Sequence, residues 1–123
     1  MNDVVFACGV HSLGFAVFHI LFWKIFNWKA DLKTASVATR AIIQIANLRL
    51  IHVFCLVGIL CFLFPGELVQ TNLGRAVLLG MSLFWLGRLV EQFIFLRYNR
   101  PMIHVLSGLF ALGAVLFALP LLH

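Results

Sequence analysis

The sequence predicts an all-α protein, a four-helix transmembrane bundle with antiparallel up-down topology and both termini on the non-cytoplasmic side. Three observations lead there. Hydrophobic residues make up 63% and charged residues 11% of the 123 positions, and the mean hydropathy is +1.08, whereas a soluble domain carries about 25% charged residues. The apolar residues gather into four stretches, 4–23, 42–64, 76–96 and 102–122, each close to the roughly 20 residues that carry an α-helix across about 30 Å of hydrocarbon. Inside these stretches the few ionisable residues sit at similar distances from one end, and a charge in hydrocarbon is costly unless something answers it. Residues 1–123 therefore read as a single polytopic membrane domain, with the lipid bilayer as solvent and any site built between helices or on short loops.

Each element has its own signals. The first stretch follows Asp3 and is closed by Lys24, with no basic segment ahead of it, so it is expected to stay as an anchor and not to be cleaved as a signal peptide. Gly9 and Gly14 mark where another helix can approach it. The first connection, 26–41, is the longest, and its Trp28 beside Lys29 suits the headgroup level. Residues 34–44 have helical character, so the second helix is expected to begin in the interface. Pro65 and Gly66 end it. Asn72 is the expected cap of the third helix, and Pro101 suits the first turn of the fourth, after Asn99 and Arg100. A turn that tight makes the third and fourth helices antiparallel neighbours. Ser107, Gly108 and Ala111 give the fourth a small-residue face.

Net charge is +5, yet the basic residues form no run, so nucleic acid is not an expected partner. They mark orientation instead. Lys24, Lys29, Lys33 and Arg40 flank the first connection and Arg97 and Arg100 the third, while the second holds Glu67 and only Arg75. The positive-inside rule then makes the first and third connections cytoplasmic. Cys8, Cys55 and Cys61 fall within spans with no C-x-x-C pair, and read as small apolar fillers.

The polar residues of the spans suggest a site. Counted inward from the cytoplasmic ends, His19 and Glu91 lie roughly 6 to 8 Å deep, Arg49 and Arg88 roughly 10 to 12 Å, and His52 near the midplane. Trp85, Arg88, Glu91 and Gln92 share one stripe of the third helix. Gln44, Asn47, His52 and Cys55 share an arc of the second, with Arg49 at its edge. The expected ligand-binding set is therefore His19, Asn47, Arg49, His52, Trp85, Arg88, Glu91 and Gln92, lining a cytoplasm-facing cavity. In one reading Arg88 and Glu91 are an internal ion pair that fixes packing. In the other, two arginines face one carboxylate, and a polar or anionic headgroup answers the remaining charge. Snorkelling of Arg49 to the headgroups competes with the second.

Other ligands are weighed against this set. His19, His52 and His104 come from three different helices and are the candidates for a metal or haem. Haem ligation needs two imidazoles at one depth, and His19 and His52 differ by about 9 Å along the helices. Quinone, or another lipid-like ligand beside Trp85, needs no such geometry. Paired acids and a G-x-S-x-G element are missing from the sequence, so catalysis is not the expected role.

The set His19-x-x-Phe22-Trp23 with Trp28, then Gly74-Arg75 and Phe84-Trp85-x-x-Arg88, is similar to what short hydrophobic proteins of bacteria carry. The expected localisation is the bacterial inner (cytoplasmic) membrane. Small multidrug transporters and fluoride channels are of similar length, but their landmarks, including an acid within the first helix, do not occur here. The expected function is that of a binding or accessory subunit with a cytoplasm-facing polar pocket for a polar or anionic headgroup, with other membrane subunits or a lipid-like ligand as its partners. A redox component binding haem or quinone is the first alternative, and an oligomeric channel or transporter the second.

Overall fold

The computed structural model of the chain describes residues 2–96 and 100–122. Arg97 and Asn99, assigned above to the third connection, lie outside the described residues. In chain order the elements are α1 (Asn2–Ile20), α2 (Phe22–Ile25), α3 (Trp28–Asp31), α4 (Val37–Leu63), α5 (Pro65–Gln70), α6 (Asn72–Phe95) and α7 (Pro101–Ala118), which runs into a 3-10 turn at Leu119–Leu122. No strand occurs among the described residues. Four helical segments, α1, α4, α6 and α7 with its closing turn, are long and apolar enough to cross a membrane.

Helix ends depart from the apolar stretches because capping chemistry, not hydropathy, sets them. Ser36 starts α4, its Oγ accepting from the Thr39 N–H at 3.1 Å, so the helix begins at Val37, ahead of the apolar run. At α6 the cap is Thr71 and not the expected Asn72. Thr71 has extended backbone, and its Oγ1 accepts from the Gly74 N–H at 2.9 Å. The same hydroxyl donates to the Glu67 carbonyl at 2.7 Å, so one group closes α5 and opens α6. Pro65 ends α4 as expected, but it also sits in the first turn of α5, where its missing N–H costs nothing. Pro101 has the same place in α7.

The chain divides into two compact units, Gly9–Leu60 and the remainder on either side of it. In the first, α1 and α4 run antiparallel. Leu13 lies where a side chain on Gly58 would stand, Phe15 and Phe54 have centroids 6.1 Å apart, the Asn47 Nδ2 donates to the His19 carbonyl at 2.8 Å, and the Trp23 Nε1–H donates to Gln44 Oε1 at 2.9 Å. The partners descend α4 as they climb α1.

In the second unit α6 and α7 form the antiparallel hairpin expected of neighbours in sequence. Along the seam Arg75 Nη2 donates to the Leu121 carbonyl at 2.7 Å, Ser82 Oγ to the Ala114 carbonyl at 2.8 Å, and Trp85 stacks on Phe110 at 5.6 Å and 20°. Arg75 Nη1 also reaches the Val69 carbonyl at 3.2 Å and that of Pro120 at 3.5 Å. A guanidinium thereby answers carbonyls at two helix ends, where the backbone leaves acceptors without intrahelical donors. The stripe that α6 buries consists of Gly74, Leu78, Met81, Trp85 and Gln92. At its start α5 crosses so closely that a Cβ on Gly74 would overlap the Glu67 carbonyl oxygen and the Leu68 Cα.

Candidate functional site

Within Gly9–Leu60, the connection between α1 and α4 folds into two single turns of helix. Asn27 separates them with φ 49° and ψ 51°, the left-handed conformation that asparagine tolerates better than most residues. This reversal sets Trp28 against Trp23, with centroids 5.3 Å apart at 73°, and against Phe22 at 5.8 Å. Arg40, at the start of α4, closes the corner. Its Nε donates to the Leu32 carbonyl at 3.0 Å, and its Nη2 to the carbonyls of Ala35 at 3.0 Å and Lys33 at 3.5 Å. Gln44 completes the chain of bonds, accepting from Trp23 and donating from Nε2 to the Arg40 carbonyl at 3.1 Å.

These bonds frame a cavity of about 410 Å³ lined by Trp23, Trp28, Lys29, Leu32, Lys33, Arg40 and Gln44. Three cationic side chains and two indoles line it, and no acid does. Lys29 and Lys33 are exposed and four residues apart, and their ammonium groups bond to no described residue. Such a lining attracts an anion through unspent N–H donors and offers aromatic faces for the apolar part of the same molecule.

The residues expected from sequence are distributed as follows. His19 is buried, its Nδ1–H donating to the Phe15 carbonyl at 2.7 Å and its ring stacked on Phe22 at 4.2 Å. Asn47 is brought to it by the bond described above. Arg49 and His52 are exposed on α4, away from the buried face that carries Asn47 and Phe54, so the arc expected to hold Asn47 and His52 together is split. In the other unit Trp85 and Gln92 are buried, Arg88 is half-buried and Glu91 is exposed. Burial thus falls off across the stripe they share. The Arg88 guanidinium lies over the Phe110 ring, 4.7 Å from its centroid, since an aromatic face attracts a cation, and the charge of Glu91 acts on it as well. Among the described residues no three His, Cys, Asp or Glu side chains are grouped to hold a metal, and His52 and His104 are exposed.

Two buried acceptors in this set, Asn47 Oδ1 and Gln92 Oε1, have no partner among the described residues. An acceptor buried in this way costs about 1 to 3 kcal/mol. Gln92 has only a long bond, from Nε2 to the Ile103 carbonyl at 3.4 Å, to offset it. Gln92→Leu is therefore expected to change stability by less than about 1 kcal/mol, read from thermal unfolding in mild detergent. A loss above twice that would mean that Oε1 is bonded in the membrane.

Sequence reasoning read Trp28 and the lysines as orientation signals and missed the cavity they line. The signal was present in the density of tryptophan and basic residues between positions 23 and 44. The fold and this corner together describe an all-helical protein with four potential membrane spans and a cationic, aromatic-walled cavity at the end of one helical pair. Comparison with family models, with curated proteins and with solved structures gives no match.

Proposed function

We propose that the protein is a small integral membrane protein of the bacterial inner membrane and serves as a binding or accessory subunit for a ligand with an anionic headgroup. Its first and third connections face the cytoplasm and both termini lie outside, following the bias of Lys24, Lys29, Lys33, Arg40 and Arg100 over Glu67 and Arg75. One observation carries the binding role: the cavity of about 410 Å³ that joins Trp23 and Trp28 to Lys29, Lys33 and Arg40. In this orientation it stands at the cytoplasmic headgroup level, where anionic lipids attract basic side chains and indole rings rest between water and hydrocarbon. Arg40 is held by loop carbonyls and shapes the cavity, leaving the two lysine ammonium groups for a phosphate.

Tryptophan fluorescence in vesicles tests this, with Trp85→Phe as background so that Trp23 and Trp28 report. Brominated phosphatidylglycerol is expected to quench more strongly than brominated phosphatidylcholine at equal mole fraction, and less so as salt is raised. Lys29→Glu with Lys33→Glu is expected to lower the preference for the anionic lipid about tenfold or more, since each basic residue near the surface contributes about 1 kcal/mol. Equal quenching of the unaltered cavity by both lipids would end the proposal.

A further inference from the structure

Around the cavity of the α1–α4 connection, the side-chain polar groups that remain unspent are donors. Lys29 and Lys33 bring two ammonium groups, which donate and cannot accept. Arg40 spends Nε and Nη2 on the carbonyls of Leu32, Lys33 and Ala35, which leaves the N–H bonds of Nη1 without a partner among the described residues. The Trp28 indole N–H has none there either, whereas Trp23 has given its own to Gln44. Acceptors are the reverse case. Gln44 Oε1 is the one side-chain acceptor in the lining, and it already receives the Trp23 N–H. The carbonyls of Leu32 and Ala35 are taken by Arg40, and Asp31, the carboxylate closest in sequence, does not line the cavity.

We infer that the headgroup this cavity takes is a terminal phosphate, a phosphomonoester such as that of phosphatidic acid, in preference to a phosphate capped by a second ester. The inference rests on the headgroup reading above and narrows it to one chemical class. A monoester presents three oxygens that accept and carries about 1.5 to 2 negative charges at pH 7, so one ligand answers both ammonium groups. A diester carries one charge and answers one of them. Its alcohol adds a mismatch: the hydroxyls of glycerol and the ammonium of ethanolamine are donors, and the lining offers them no side-chain acceptor that is not already engaged. Ethanolamine and choline also bring a cation to a lining that holds three and no acid. The indole faces of Trp23 and Trp28 are left for the glyceryl ester and chains of the lipid, which a soluble phosphate ester does not have.

Vesicles of phosphatidylcholine holding phosphatidic acid and phosphatidylglycerol at equal mole fraction test this, with bromine on one of the two lipids at a time and Trp85→Phe as background. Surface charge is then the same in both samples, so a difference in quenching reports which headgroup gathers at Trp23 and Trp28. At about pH 8, where the monoester is close to doubly charged, phosphatidic acid is expected to be enriched about fivefold over phosphatidylglycerol, the effect of one further charge answered at the surface. Lys29→Gln and Lys33→Gln each remove one ammonium and are expected to bring the two lipids to within about twofold of one another. Equal quenching by both lipids in the unaltered protein, or an excess that both glutamine variants keep in full, overturns the inference. Where phosphatidylglycerol still quenches more than phosphatidylcholine, the headgroup reading stands without it. Glycerol phosphate added to the same vesicles separates a lipid from a soluble ester. The excess of phosphatidic acid is expected to persist, and its disappearance at millimolar glycerol phosphate overturns the lipid as the source.

Discussion

Gly74→Ala is expected to destabilise the protein by about 1 to 3 kcal/mol, the usual cost of forcing an atom into a packed site. Ordinarily the same change inside a helix is favourable by about 1 kcal/mol, so the sign is decided by what the new methyl meets. At Gly74 it meets the backbone of Glu67 and Leu68, which cannot rotate aside as a side chain can. Relief requires α5 to move off the first turn of α6, and that in turn strains the two bonds of the Thr71 hydroxyl. Gly80→Ala and Gly87→Ala are the controls, since a Cβ at either position has nothing within 4 Å. The midpoint of thermal unfolding in mild detergent should fall for the first and hold or rise for the other two. Equal responses at all three positions would show that α5 does not sit on Gly74.

Trp85→Ala is expected to cost about 3 kcal/mol, the lower end of what aromatic-to-alanine changes cost in buried sites. The lower end applies because lipid is itself apolar: a helix separated from its neighbours keeps its indole in an apolar medium, so little transfer free energy is at stake. What is lost is the stack on Phe110 at 5.6 Å and the close contacts of a side chain left only 1% exposed. Trp85→Phe keeps an aromatic face and should lose less than half as much. Unfolding monitored by helical circular dichroism measures both, and indistinguishable midpoints for the two variants would remove Trp85 from the core of the hairpin.

Much of the architecture was legible because lipid imposes length and composition on any segment that crosses it. The four long helices follow from that requirement. Finer features depend on choices that hydropathy does not record. Thr71 and Asn72 are adjacent and both cap well, and only the backbone angle decides between them. Pro65 reads as a stop, yet a stop for one helix is equally a start for the next. Asn47 and His52 looked like companions because α4 mixes apolar and polar residues on all its sides, and such a helix gives no sign of which face is packed. Arg88 and Glu91 have the spacing of interacting charges and do act on one another, but that spacing gives no sign of Phe110, which the hairpin brings under the guanidinium. The cavity was hidden for a similar reason. Its shape depends on Arg40 reaching back to carbonyls of the preceding loop, a path that composition does not reveal.

Arg75 gives the α6–α7 hairpin a fastening at the end opposite its connecting loop. Two apolar rods joined at one end alone are free to slide by a turn, trading one set of greasy neighbours for another at almost no loss. Fastened at both ends, they keep a single register, and the serine, tryptophan and glutamine between them meet the same partners every time.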